Sequence, residues 1–262
     1  GTPFRSQGEP IIDLRLPAGQ TAEQQKKRLA LLARLNARHL EKNPAEASLS
    51  ARIQSYELAY RMQMSAPKAV DLDQETAETQ TLYGLDRPIS SYFGRQCLLA
   101  RRLVERGVRF VQIYSGGADQ QLSWDAHSSL RANLEQHCPE IDQPVAGLIK
   151  DLERRGLLDE TLIVWGGEFG RMPTNQGTIG RDHNPRGFTT FLAGGGVRGG
   201  MTYGATDEFG YAAEQNPVSV HDLHATCLHL LGMDHEQLTY HHRSREMRLT
   251  DVAGIVLDDV LA

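Results

Sequence analysis

Several features are scarce or missing in this chain, and each absence removes a class of protein. Only three cysteines occur, Cys97, Cys138 and Cys227, and all lie in apolar helical patterns, so we predict free thiols rather than a disulfide framework. No stretch approaches the ~20 consecutive apolar residues of a membrane-spanning helix. The 28 basic residues are outnumbered by 33 acidic ones and form no basic run, which argues against nucleic acid as a partner.

Two further absences concern catalysis and the start of the chain. No Gly-x-Ser-x-Gly elbow occurs, so a serine esterase would have no nucleophile. No charged and then apolar signal segment opens the sequence. Gly1 to Arg5 has no initiator methionine and has the composition of an internal loop, so we expect a fragment of a longer protein, whose compartment this stretch does not reveal.

The chain is nevertheless long and apolar enough, at 262 residues and 40% hydrophobic, to bury a full core. We predict an N-terminal loop and helical arm over residues 1–87, followed by one α/β domain over residues 88–262. Helical spacing of apolar residues predicts five helices, at 22–40, 50–64, 88–107, 130–152 and 219–231. Apolar, β-branched runs predict three strands, at 108–114, 161–165 and 188–193.

The order of these elements in residues 88–262 predicts the fold. Strands separated by helices of more than ten residues are typical of a three-layer α/β/α sandwich with a largely parallel sheet. The two arm helices carry no convergent polar set, so they are expected to serve packing or a partner interface.

Three loops at predicted strand ends carry acidic or imidazole side chains. Because the loops after parallel strands converge on one crevice, they predict a divalent metal site for Zn, Mn, Ca or Mg. The candidate ligands are Asp125, His127, Glu168, Asp182 and His183. The alternatives are an N-cap and a solvated histidine for Asp125 and His127, and an ion-pair network for the rest.

Two arginines accompany these side chains. Arg171 and Arg181 could present planar, bidentate donors to a tetrahedral oxyanion such as phosphate or sulfate. They are therefore the candidates for holding a charged substrate.

Three weaker features favour structural roles. The glycine-rich stretch 194–200 predicts a turn after a strand rather than a phosphate loop. Asp222 precedes a helix and is a better cap than a metal ligand with His221 and His224. Cys97 begins a Cys-Leu-Leu-Ala-Arg run that faintly resembles the modified-cysteine site of sulfatases, but its helical setting favours packing.

Several motifs resemble known families. Glu160 to Val164, followed by Gly-Gly-Glu-Phe-Gly-Arg, resembles the strand and acidic turn of sulfatases and other members of the alkaline phosphatase superfamily. Pro217 to Met233 resembles a later sulfatase helix. Over nearly the whole chain, a set of motifs is similar to the bacterial family called domain of unknown function 1501: W-D-x-H, G-E-F-G-R, G-R-D-H-N-P, A-G-G-G-V-R-G-G and G-A-T-D-E-F-G.

The resemblance implies both a function and a compartment. It implies a sulfatase-like, metal-dependent hydrolase of phosphate or sulfate esters, acting on a small-molecule or glycan substrate. It also implies a periplasmic or exported protein of the kind abundant in planctomycetes. In the superfamily an upstream strand delivers one metal-binding Asp and the nucleophile, and no segment here matches it, so we expect an incomplete enzyme.

Two other classes of function stay open. The first is a non-catalytic, sulfatase-like protein that binds an anionic glycan or a partner protein through the same crevice. The second is a structural assembly protein with an apolar patch on the arm helices. The sequence leaves homo-oligomerisation open.

Overall fold

A computed structural model describes residues 3–5, 11, 16, 19–42, 53–56, 60, 66–116 and 124–262 of the chain. The chain forms two compact units. One comprises residues 1–77 and 98–111, and the other comprises residues 78–97 and 112–262.

The first unit is helical. Helix α1 spans Ala22–Lys42 as predicted, residues 66–70 are helical, and a 3-10 turn spans Leu72–Gln74. Of the second predicted arm helix, residues 53–56 and 60 are helical, and the rest lies outside the described residues.

A buried ion-pair cluster joins two parts of this unit. Arg101 contacts Glu75 at 2.6 Å, and Arg102 also binds that carboxylate and donates to the Ala69 carbonyl at 2.8 Å. Burial alone would raise the pKa of Glu75, but the bonds from the two arginines lower it instead. The two arginines therefore keep Glu75 ionised although its side chain is only 10% exposed.

The second unit contains the remaining helices. Helix α2 spans Ala77–Leu82, α3 spans Pro88–Val104 and continues into the first unit, α4 spans Leu130–Arg154, and α5 spans Val220–Leu230. The helices predicted at 88–107, 130–152 and 219–231 are confirmed.

Tyr83 is a fixed point of the helical core in this unit. It is fully buried, and its hydroxyl donates to Asp151 at 3.0 Å. An added Cβ at Gly94 would meet the Tyr83 carbonyl at 2.2 Å, and one at Gly147 would meet the Leu82 carbonyl at 2.5 Å. Both positions therefore require glycine, because a side chain there would clash with the backbone of residues 82 and 83.

The strands of the second unit are short and pair in four separate antiparallel ribbons. Their bounds are Ile163–Trp165 (β1), Gly170–Arg171 (β2), His183–Asn184 (β3), Phe191–Ala193 (β4), Ala205–Thr206 (β5), Ala213–Gln215 (β6), Thr239–His242 (β7) and Arg245–Arg248 (β8). The pairs are β1 with β4, β2 with β3, β5 with β6, and β7 with β8.

The predicted three-layer α/β/α sandwich is wrong, because the described residues contain no parallel sheet. Strands β1 and β4 lie where two strands were predicted, yet Ile163 pairs with Ala193 and Trp165 with Phe191, so the two run antiparallel. A parallel pair needs a crossover, usually a helix, and the connection between these strands contains the β2–β3 hairpin instead.

The strand predicted at 108–114 is also wrong. The segment is extended but has no strand beside it among the described residues, and Phe110 and Tyr114 are 73% and 71% exposed. An apolar alternating run is compatible with a strand, but a ladder forms only where a partner strand supplies the hydrogen bonds.

Candidate metal centre

The site begins in the loop that precedes α4. The Trp124 indole donates to the Ser115 hydroxyl at 3.0 Å, and its ring packs on His137 with centroids 5.2 Å apart. The amide of His127 donates to the carbonyl of Asp125 at 3.0 Å. This tight turn brings the side chains of Asp125 and His127 together.

The β2–β3 hairpin supplies the other half of the site. Arg171 and His183 are directly paired across the two strands, and the Met172 amide extends the pairing by donating to the Asp182 carbonyl at 2.9 Å. Side chains of directly paired residues project from the same face of a ribbon. Arg171 and His183 therefore reach out on the same side.

Backbone contacts dock the hairpin against the loop. The Arg181 amide donates to the Ala126 carbonyl at 3.0 Å, and the Leu130 amide donates to the Ile179 carbonyl at 3.2 Å. A Cβ added to Gly180 would lie 1.7 Å from the His127 carbonyl oxygen. Only glycine allows this approach, so Gly180 helps to set the distance between His127 and the hairpin.

The docking brings Asp125, His127 and His183 into one cluster. Asp125 Oδ1 lies 3.0 Å from His127 Nε2 and 3.1 Å from His183 Nε2, and the two Nε2 atoms are 3.0 Å apart. The three side chains are 34 to 41% exposed, so solvent reaches the cluster. Phe169 packs on the His183 ring with centroids 4.0 Å apart.

Arg171 supports the carboxylate of this cluster. Its Nη2 donates to Asp125 Oδ1 at 2.8 Å and to the Trp124 carbonyl at 3.0 Å, and its Nη1 donates to the Arg181 carbonyl at 3.3 Å. The hydrogen bond from Arg171 is the main cause of a lowered pKa of Asp125. Asp125 is therefore held as a carboxylate and in a fixed orientation.

Gln176, in the hairpin loop, orients His127. Its Oε1 lies within hydrogen-bond distance of His127 Nδ1, and its backbone exchanges two hydrogen bonds with Gly180. An amide oxygen only accepts, so Nδ1 carries the proton and Nε2 of neutral His127 presents its lone pair to the cluster.

With its proton on Nδ1, His127 has an unprotonated Nε2 close to the Asp125 carboxylate. The lone pair of His127 Nε2 faces the carboxylate oxygen of Asp125 at 3.0 Å. Two such atoms repel each other unless a proton or a metal ion lies between them. Imidazole and carboxylate are also ligands that divalent transition metals accept, so the cluster is suited to a cation.

The other predicted site residues lie around this cluster rather than in it. Asp182 Oδ1 accepts from the His183 amide at 2.8 Å and stands 4.0 Å from His127 Nδ1, on the side of the ring away from Nε2. Glu168 is exposed and is not among the three converging side chains. Arg181 Nη1 donates to the Asn175 side chain and to the Gly180 carbonyl.

Sequence reasoning missed a polar support behind the hairpin. Asn184, only 1% exposed, donates to the Gly210 and Tyr211 carbonyls at 3.3 and 3.1 Å. The loop bearing these carbonyls is folded by Asp207, which accepts from the Tyr211 amide at 2.9 Å and the Phe209 amide at 3.0 Å. The bond from Tyr211 is the main cause of a lowered pKa of Asp207. The sequence signals for this support were the G-R-D-H-N-P motif, which contains Asn184, and the G-A-T-D-E-F-G motif, which contains Asp207.

The weaker features have structural roles, as predicted. Asp222 and Ser219 form a reciprocal capping box at the start of α5. Gly194 and Gly195 adopt positive φ angles of 68° and 54° in a turn after β4.

The cysteines also match the prediction, since all three are free. Cys97 is 1% exposed within α3, and burial raises the pKa of its thiol to about 12. A thiol with that pKa is almost entirely protonated at neutral pH, so Cys97 is unsuited to act as a nucleophile.

The described fold and site define an α+β protein in which a hairpin and a loop present a candidate metal-binding triad. A protein-family profile described as "Protein of unknown function (DUF1501)" matches residues 1–261. The chain belongs to this family, and the resemblance noted in the sequence is confirmed at that level. No curated protein and no solved structure matches the chain. In the described part of the chain, no helix has the length and apolar character needed to cross a membrane.

Proposed function

We propose that Asp125, His127 and His183 form the metal centre of a hydrolase that acts on phosphate or sulfate esters. The observation that carries the proposal is the convergence of one carboxylate oxygen and two imidazole nitrogens within about 3 Å of one another at a solvent-accessible point. The fold gives no support to a sulfatase relationship, so the proposal rests on the chemistry of the site.

The cluster is held in place before any ion binds. Arg171 fixes Asp125, Gln176 fixes His127, and the ring of Phe169 packs against His183. Partners of this kind orient metal ligands and typically contribute 10–100-fold to metal affinity. A preorganised set of ligands is what a catalytic metal requires.

The charges around the cluster suit an anionic substrate. The carboxylate of Asp125 and the guanidinium of Arg171 form an ion pair and cancel, so the charge of a bound ion would remain to attract an oxyanion. Such an ion would lower the pKa of a bound water and neutralise charge on the ester oxygens, which removes the need for a protein nucleophile.

Arg181 is the better candidate for contacting the substrate. The nitrogens Nη1 and Nη2 of Arg171 are already bound to Asp125 and backbone carbonyls. Nη2 of Arg181 makes no hydrogen bond to any described part of the chain, while Nη1 is anchored to Asn175. Arg171 therefore positions Asp125, and Arg181 keeps a donor for an oxyanion.

An ester assay tests the proposal. Aryl phosphate and aryl sulfate are offered to the purified protein with added Mn²⁺, Zn²⁺, Mg²⁺ or Ca²⁺. We expect metal-dependent turnover that His127→Ala abolishes and that Arg181→Ala weakens mainly through a higher KM. Turnover that survives in His127→Ala would contradict the proposal. Metal retention without turnover would favour the alternative role of binding an anionic glycan or a partner protein.

A further inference from the structure

The three ligand atoms form a nearly equilateral triangle. Asp125 Oδ1 is 3.0 Å from His127 Nε2 and 3.1 Å from His183 Nε2, and the third side, between the two nitrogens, is 3.0 Å. The length of these sides restricts the angles at which an ion can be bound.

The angles follow from ordinary bond lengths. An ion about 2.1 Å from each atom would have its neighbouring ligands roughly 90° apart, as on one face of an octahedron. A tetrahedral ion with the same bond length would need ligand atoms about 3.4 Å apart. The sides of the observed triangle are closer to those of one octahedral face than to the tetrahedral spacing.

We propose that the cluster is a facial triad for a six-coordinate divalent ion of the Mn²⁺ or Fe²⁺ kind, rather than a four-coordinate Zn²⁺ site. Two imidazoles with one carboxylate are the donors typical of such ions, whereas Ca²⁺ and Mg²⁺ prefer oxygen throughout. This inference deepens the proposed function and rests on it for the identity of the substrate.

The rest of the coordination shell is open to solvent. No fourth histidine, cysteine or acidic side chain joins the triad within the described ranges of the chain. Asp125 Oδ1 has two lone pairs, and the hydrogen bond from Arg171 takes one of them, so the other is left for an ion. A six-coordinate ion with these three ligands keeps three adjacent positions, which is enough for a water and for two oxygens of one tetrahedral oxyanion.

Affinity alone would not test this, because Zn²⁺ binds most nitrogen and oxygen sites more tightly than Mn²⁺ or Fe²⁺. Coordination number is the informative quantity, and Co²⁺ reports it through its visible absorption. Chelator-stripped protein is titrated with Co²⁺, in parallel with His183→Ala, His127→Ala and the control Glu168→Ala. Circular dichroism verifies that each variant is folded.

We expect one Co²⁺ per chain with the weak visible absorption of a six-coordinate ion, lost in both histidine variants and kept in Glu168→Ala. Inorganic phosphate, added to the cobalt-loaded protein, should change the spectrum by occupying open positions. An intense four-coordinate spectrum that depends on His183 would overturn the facial triad while leaving the metal centre intact. Cobalt binding unchanged in both histidine variants would overturn the triad and the proposed metal centre together, and a spectrum insensitive to phosphate would overturn the open face.

Discussion

Arg171 and His183 are directly paired across the β2–β3 hairpin, and both side chains reach the same oxygen of Asp125, at 2.8 and 3.1 Å. One short ribbon therefore supplies a candidate metal ligand, His183, and the guanidinium group of Arg171, which holds the second candidate ligand Asp125 in place. The site depends on the hairpin docking correctly against the loop that carries Asp125 and His127.

The closeness of that docking can be tested at Gly180. In Gly180→Ala the new Cβ would meet the His127 carbonyl at 1.7 Å, so the loop and the hairpin must separate. We expect the free energy of unfolding to fall by about 1–3 kcal/mol, as for other overpacked sites, with metal affinity reduced as well. Chemical denaturation measures the first effect. Gly199→Ala is the matched control, because nothing lies within 4 Å of its added Cβ, and equal stability of the two variants would contradict the close contact.

Gln176 should matter for metal binding more than for folding. Gln176→Leu removes the acceptor of His127 Nδ1, so the imidazole loses its fixed tautomer and orientation. We expect metal affinity to fall about 10–100-fold, measured by calorimetric titration, with the unfolding transition nearly unchanged. Gln237→Leu removes a comparable bond, to Asp234 at 2.8 Å, and should leave metal affinity unaltered. Unaltered affinity in Gln176→Leu would show that His127 needs no such partner.

The Asp207 loop should give a pH-dependent contribution to stability. The pKa of Asp207 is lowered in the folded protein, chiefly by the bond from the Tyr211 amide. The stabilisation is therefore present above the ordinary aspartate pKa of about 4 and is lost as the pH falls through the lowered value. Asp207→Ala should lower the Tm at pH 7, and the gap to wild type should narrow below about pH 4.

Asp86→Ala is the control for that experiment, because Asp86 is exposed and its side chain makes no bond to any described residue. Its Tm should follow wild type at every pH. A gap between Asp207→Ala and wild type that stays constant from pH 7 to pH 3 would argue against an ionised Asp207 as the organiser of the loop.

Asp222 should behave as a cap and not as a ligand. It accepts from Ser219 in the capping box and, through its other oxygen, from the Ile255 amide at 2.8 Å. Asp222→Ala is expected to cost about 1 kcal/mol of stability, typical of a lost cap, while metal content stays the same. Elemental analysis alongside denaturation distinguishes the two roles, and a loss of metal would restore ligation as the explanation.

The helices could be predicted because their signals are local. Apolar residues at a spacing of 3.6 mark the buried side of each helix, and glycines with positive φ follow three of them: Gly107 at 83°, Gly156 at 68° and Gly232 at 76°. Neither signal depends on where the rest of the chain lies.

The sheet could not be predicted in the same way, because strand pairing is a long-range property. Residues 163–165 and 191–193 were recognised as strands, but their direction depends on whether the connection between them crosses over or turns back. The extended stretch 108–114 has a strand-like pattern and lacks a partner within the described chain. Local sequence carries no record of either fact.

The same distinction between local and long-range information applies to the candidate metal site. The D-x-H and D-H spacings drew attention to Asp125, His127 and His183 because ligands close in sequence share a loop. The roles of Gln176 and Gly180 depend on the docking of the hairpin against a loop about 50 residues earlier in the chain. Sequence spacing does not reveal this docking, so it also did not reveal that Glu168 lies outside the three converging side chains.

Metal content of triad variants is the most direct test of the central claim, that Asp125, His127 and His183 hold one divalent ion. Purified wild type, His183→Ala and Glu168→Ala are analysed for metal per chain, and thermal unfolding is measured on the same proteins after chelator treatment, so that bound metal does not contribute to stability. We predict one ion per chain in wild type and Glu168→Ala, and none in His183→Ala, whose stability should change by no more than about 0.5 kcal/mol because the side chain is exposed. Full metal content in His183→Ala, or a sharp fall in its melting temperature with the metal retained, would contradict the account.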